Sequence, residues 1–204
     1  DLYTNSDLVY NDDGYIEVDK NGNVAVKDDY MDDIYLGSVF PKYNLAWRND
    51  FNYKGINLGV LFTARIGGIC YSATQANMDL YGVSEASAAA RDAGGVMING
   101  RDMIDAQKWY QVIGSQSGLP QYYTYSATNV RLQELSLGYT LPSKWFRDKM
   151  RMTVSFVGRN LWMIYCKAPF DPEAVASTGM NYQGIDYFMM PSMRNLGFNV
   201  KFQF

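Results

Sequence analysis

The sequence predicts an all-β fold, a section of a transmembrane antiparallel β-barrel, on three observations. Apolar and polar residues alternate along segments well beyond the ~5–6 residues usual for soluble strands and close to the ~9–11 of membrane strands. The connections between these segments alternate short and long, as do the two ends of an outer-membrane barrel. Tyrosine (17) and phenylalanine (10) are abundant, histidine is absent and the mean hydropathy is -0.25. That suits strands with one lipid face and one polar face. The net charge of -3 is not the basic footprint of a nucleic-acid partner. No run approaches the ~18 apolar residues of a membrane-crossing helix.

Residues 1–40 are polar and acidic, with turns at Asp12-Asp13-Gly14 and Asn21-Gly22-Asn23. Tyr15–Val18 and Val24–Val26 flank the second turn and predict a small hairpin. Asp19-x-Asn21-x-Asn23 lacks the sixth-place glycine and distal glutamate of a calcium loop, so it reads as a plain turn. From Tyr43 to Tyr53, Tyr43, Leu45, Trp47, Phe51 and Tyr53 alternate with Asn44, Arg48, Asp50 and Asn52. After the tight turn Lys54-Gly55, Ile56, Leu58, Val60, Phe62, Ala64 and Ile66 form one face of a second strand. A third, Val130–Thr140, carries Leu135, Leu137 and Tyr139 on one side, but Val130 and Leu132 break phase, which predicts a bulge or a projecting end. Beyond the short Pro142–Asp148 connection, Met152, Val154 and Phe156 oppose Thr153, Ser155 and Arg159. The last strand sets Leu196, Phe198, Val200, Phe202 and Phe204 against Asn195, Gly197, Asn199, Lys201 and Gln203.

Five strands cannot close a barrel, because such barrels start at about 8, and an open lipid-facing sheet would aggregate. The chain is therefore expected to be part of a longer polypeptide. Its start, Asp1-Leu-Tyr-Thr-Asn-Ser6, carries no basic n-region of a signal peptide. The expected division is 1–40 as an extracellular loop or hairpin and 41–204 as barrel strands. Extracellular loops fall at about 67–128 and 165–191.

The residues offer no catalytic machinery. Without histidine, Ser-His-Asp and Cys-His arrangements are impossible. Asp12-Asp13, Asp28-Asp29 and Asp32-Asp33 read as solvated turn acids, and Gly67-Gly68 and Gly94-Gly95 lack the lysine of a phosphate loop. Cys70 and Cys166 read as two unrelated small residues. No cofactor or metal is expected. Strand aromatics are expected to face lipid or its interfaces. Trp109, Tyr110, Tyr122 and Tyr123, with Arg101, cluster in the long 67–128 excursion and are the candidate substrate-binding residues, since sugars stack on rings and bond to polar edges. Within it, Ser84–Ala93 predicts a short helix capped by Ser84. Arg48, Asp50, Arg65, Arg159 and Lys201 are expected to make ion pairs on the polar wall.

Several stretches resemble one family. Asn129-Val-Arg-Leu-Gln-Glu-Leu-Ser-Leu-Gly-Tyr-Thr-Leu-Pro142, Val157-Gly-Arg-Asn-Leu-Trp162 with Ala168-Pro-Phe-Asp-Pro-Glu173, and Met190-Pro-Ser-Met-Arg-Asn-Leu-Gly-Phe-Asn-Val-Lys201 resemble the last strands of SusC/RagA-type TonB-dependent transporters. Gly37-Ser-Val-Phe-Pro-Lys-Tyr43, Phe51-Asn-Tyr-Lys54 and Gly67-Gly68 resemble the strands before them. The resemblance implies a roughly 22-stranded barrel with an N-terminal plug that is not in this chain, in the outer membrane of a Gram-negative bacterium. It implies TonB-driven import of a glycan, or in some members a peptide, with a SusD-like surface lipoprotein as lid. It also implies that Phe204 is a barrel-assembly signal. A soluble carbohydrate-binding β-domain and a passive porin are the rival readings.

Overall fold

The computed structural model describes residues 1–28, 33–115, 118–147, 149–176, 179 and 182–203; Asp29, Asp32, Asp148 and Phe204 lie outside the described residues. In chain order, β1 (Leu2–Thr4), β2 (Ser6–Leu8), β3 (Val26–Asp28) and β4 (Ile34–Gly37) precede the long β5 (Tyr43–Tyr53) and β6 (Ile56–Ile66). Then come β7 (Ile69–Ser72), α1 (Ala73–Leu80), α2 (Glu85–Asp92), β8 (Val96–Ile98), β9 (Asp102–Ile104), α3 (Ala106–Gly114) and β10 (Thr124–Ser126). The chain returns to long strands with β11 (Asn129–Thr140) and β12 (Arg151–Cys166), and finishes with β13 (Ile185–Asp186) and β14 (Asn195–Gln203). Two compact units result: Pro41–Gly68, Ser126–Ala174 and Met190–Phe204 form one, and the rest forms the other.

The first unit is an antiparallel sheet in the order β14-β12-β11-β6-β5. Because directly opposed residues share a face, the register sorts its sides. Phe51, Leu58, Leu137, Phe156 and Phe198 align across all five strands, and Tyr53, Ile56, Tyr139, Val154 and Val200 form the adjacent row. On the other side Asn52, Asn57, Gly138, Ser155 and Asn199 align. The apolar side is open: Phe198 is 71% exposed and Trp47 62%.

The phase break in β11 is a bulge. Register shifts between Leu132 and Glu134 against both neighbours, with Gln133 extra relative to β6. The extra residue turns Val130 and Leu132, paired with Ala64 and Phe62, back to the apolar face. β12 is longer again at this level, around Asn160 at φ 51. The Lys54-Gly55 turn has both residues at positive φ, 47 and 89, as a two-residue hairpin with strand-matching twist requires.

The second unit has a conventional interior, with Leu8, Ile98, Ile104, Trp109, Ile113, Leu119 and Tyr123 buried together. The expected hairpin about Asn21-Gly22 shrinks to one Val18–Val24 bridge, because Val26–Asp28 pairs with β2 instead. Asp19 organises the turn by accepting from the Asn21 and Asn23 amides at 2.7 and 2.8 Å. The helix over Ser84–Ala93 is present as α2, with Ser84 accepting from the Ser87 amide at 3.0 Å. α1 and α3 are unexpected from the sequence reading; Ser72 and Asp105 cap them.

Candidate functional site

The nominated aromatic residues separate into two environments. Trp109 and Ile113 lie four residues apart on α3 and point into the core, Trp109 at 7% exposure. Tyr123 is 2% exposed and donates its hydroxyl to Asp79 at 3.0 Å; Asp79 also accepts from Gln75. Burial, then the Asp79 charge, pushes the Tyr123 phenol far up, so it stays a neutral donor. Tyr110 packs partly against the same core. Trp109 and Tyr123 therefore fill the interior, whereas Tyr110 is half-buried and also lines a small cavity of about 170 Å³. Tyr122 meets Trp109 edge-on at 5.9 Å and keeps an open side.

Arg101 sits elsewhere, on a polar groove of about 820 Å³ whose walls include Tyr15, Glu17, Asp19, Asn99 and Asp102. Its guanidinium lies 4.7 Å over the Tyr15 ring and 3.6 Å from Asp102. Asn99 holds the groove in shape, accepting from the Ile16 amide at 2.8 Å and donating to the Ile16 carbonyl at 2.9 Å.

The sheet unit contains a cluster that the sequence reading did not assign. Arg131 on β11 is a buried cation whose Nε donates to Asn129 and whose two terminal nitrogens form a forked pair with Asp171. Glu173 lies 3.5 Å away and Asn160 accepts a further bond at 3.4 Å. Asp171 accepts from the Ser192 amide, while Asn160 donates to the Ser192 carbonyl at 2.9 Å. Desolvation alone would raise the Asp171 carboxyl, yet hydrogen bonds from Arg131, Ser192 and Glu173 hold it down at about 2. The three family-like stretches thus meet in one clasp, which ties the lead-in to β14 onto β11 and β12. On the polar wall, Glu134 bridges two of the expected arginines, Arg159 at 2.9 Å and Arg48 at 3.7 Å, and Arg48 also pairs with Asp50 at 2.9 Å. Cys70 and Cys166 are thiols, not a disulfide.

No protein-family model matches the chain. A TonB-dependent receptor P3 of Formosa agariphila is 25% identical over 198 residues, which is 92% of this chain and 19% of that protein. The chain is a relative of the TonB-dependent receptors. Solved structures agree on the fold. The RagAB peptide importer in its open-open state superposes with a TM-score of 0.66 at 15% identity, covering 100% of this chain and 22% of that one. Its closed-closed state gives 0.62 at 17% identity, covering 98% and 22%. The chain thus spans about a fifth of the length of the proteins it matches, and its five strands have the fold of a section of a TonB-dependent receptor's barrel. Such barrels are outer-membrane proteins of Gram-negative bacteria, and this chain's setting is that membrane. The relatives are a receptor and importers, not enzymes.

Proposed function

We propose that the chain is the C-terminal section of an outer-membrane transporter that imports a nutrient oligomer, a glycan by preference, under TonB control and with a SusD-like surface lipoprotein. The observation that carries the barrel part is the sheet itself. Five long strands share one continuous apolar face and one polar, ion-paired face. A soluble carbohydrate-binding domain would expose polar residues on both faces. A peptide importer of the same family is the second reading, favoured by the RagAB likeness.

On this reading the 67–128 and 165–191 excursions are extracellular. Arg101 and Tyr122, which keep open surface, are the nominated residues best placed to meet substrate. Deleting the full-length gene tests the proposal: growth on one glycan as sole carbon source should fail and return on complementation. A mutant that grows normally on glycans but fails on peptides would replace the glycan reading with the peptide one. Unchanged growth on both would remove the import reading.

A further inference from the structure

A second cavity, whose described lining includes none of the nominated residues, lies within the helical unit. It is a cleft of about 780 Å³ whose walls carry Tyr71, Asn77, Tyr81, Tyr182 and Tyr187, a size in the range of ligand sites. Tyr81, Tyr182 and Tyr187 are well exposed, at 75%, 60% and 56%. The hydroxyls of these four tyrosines make no hydrogen bond among the described residues. The described lining contains no Asp, Glu, Lys or Arg.

The walls are fixed. One is α1. The other, residues 182–187, is held by parallel pairing of β13 with β7 and by Ser72 donating to Asp186 at 2.7 Å. The Phe188 amide donates to Thr74 at 2.6 Å and anchors the end of that wall to the first turn of α1. At the floor, Gly114 lets α3 approach α1 so closely that a Cβ there would lie 2.7 Å from the Ala76 carbonyl. A rigid, uncharged cleft with open aromatic faces and unused phenol donors selects a ligand with apolar ring faces, many hydroxyls and no charge.

We infer that this tyrosine cleft binds a neutral glycan. The inference rests on the import reading above and specifies where the chain meets its substrate. A peptide brings charged termini and side chains, for which the described lining holds no counter-charge.

The test uses the full-length transporter purified in detergent and titrated calorimetrically with a panel of neutral oligosaccharides and, separately, with a tryptic peptide mixture. The wild type should bind at least one neutral oligosaccharide. Tyr81→Ala/Tyr182→Ala should weaken that binding at least tenfold, while Tyr81→Phe/Tyr182→Phe, which keeps the stacking faces, should weaken it less. The Phe pair also guards against a misfolded Ala variant. Unchanged glycan affinity in the Ala pair would overturn the cleft while leaving import intact. Binding of peptides alone, or of nothing on either panel, would overturn the glycan assignment. A strain that shows no import phenotype at all separates failure of the underlying reading from failure of the cleft.

Discussion

Two tryptophans show how differently the two units use the same residue type. Trp109 is buried on α3 at the centre of a conventional core, whereas Trp47 stands 62% exposed on β5, stacked at 5.6 Å on Phe62 across the strand pair. In the helical unit the core rings Trp109 and Tyr123 are hidden from solvent and polar groups cap and staple, while Tyr81, Tyr182 and Tyr187 stay open at the cleft. In the sheet unit the order is reversed, with rings outward and charges on the opposite wall. The lesson is that solvent, not composition, decides which side counts as inside. A face that water would drive to aggregate is stable against hydrocarbon.

The comparison breaks most severely at the clasp, where the sheet unit hides a charge. Asp171→Ala leaves Arg131 buried without its forked partner and should cost about 3–5 kcal/mol. The expected readout is a large drop in the thermal unfolding midpoint of the full-length barrel in detergent, with poor assembly in cells. Asp171→Asn should be milder. An unchanged midpoint in Asp171→Ala would show that the clasp is incidental.

The cores should differ next. Trp109→Ala removes a buried ring and should cost the helical unit about 3–5 kcal/mol, read as faster proteolysis within residues 69–125. On the sheet, Phe156→Lys places a charge on the lipid face and should cost about 2–4 kcal/mol near mid-membrane. Ser155→Lys, one residue earlier and on the opposite face, should be far better tolerated. Equal penalties at 155 and 156 would erase the difference between the faces.

The clasp also gives a pH dependence. The Asp171 carboxyl is held below its ordinary value, down to about 2. Its contribution is therefore fully present above the ordinary carboxylate range and is lost as pH falls toward about 2. The wild type should lose midpoint between about pH 4 and 2, and Asp171→Asn should lose less over that interval. Identical acid profiles would contradict the assignment. The smallest effect belongs to the helix cap, where Ser84→Ala should cost about 1 kcal/mol, visible as faster amide exchange in α2.

The sheet was legible in the sequence because its signal is strictly periodic. β5 and β6 begin and end where the alternation does, and even the phase break at Val130 and Leu132 marks a real bulge. The helical unit was less legible. Its helices are only 8 or 9 residues long, too short for helical periodicity to stand out. α2 was visible from Ser84 and its alanines. The Asp105 cap with Trp109 and Ile113 four residues apart was the available signal for α3. The clasp was invisible for another reason. Arg131, Asn160, Asp171 and Ser192 are spread over some sixty positions; the pairing of β11 with β12 sets Arg131 beside Asn160, and hydrogen bonds draw in Asp171 and Ser192 from the loop beyond. The tyrosine cleft is likewise assembled from three separate stretches, around α1, at Gly114 and around β13. Trp109 and Tyr123 could be nominated by residue type, but whether such a ring faces core or cavity is settled by packing.

The central claim is that the sheet is the lipid-facing wall of a barrel. It is tested most directly by nitroxide labels placed one at a time at positions 195 to 202 of β14 in the full-length protein, reconstituted in a bilayer. The account predicts a period of two in oxygen accessibility, with high values at 196, 198, 200 and 202 and low values between them. A flat profile, or labels at those four positions reporting water, would contradict it.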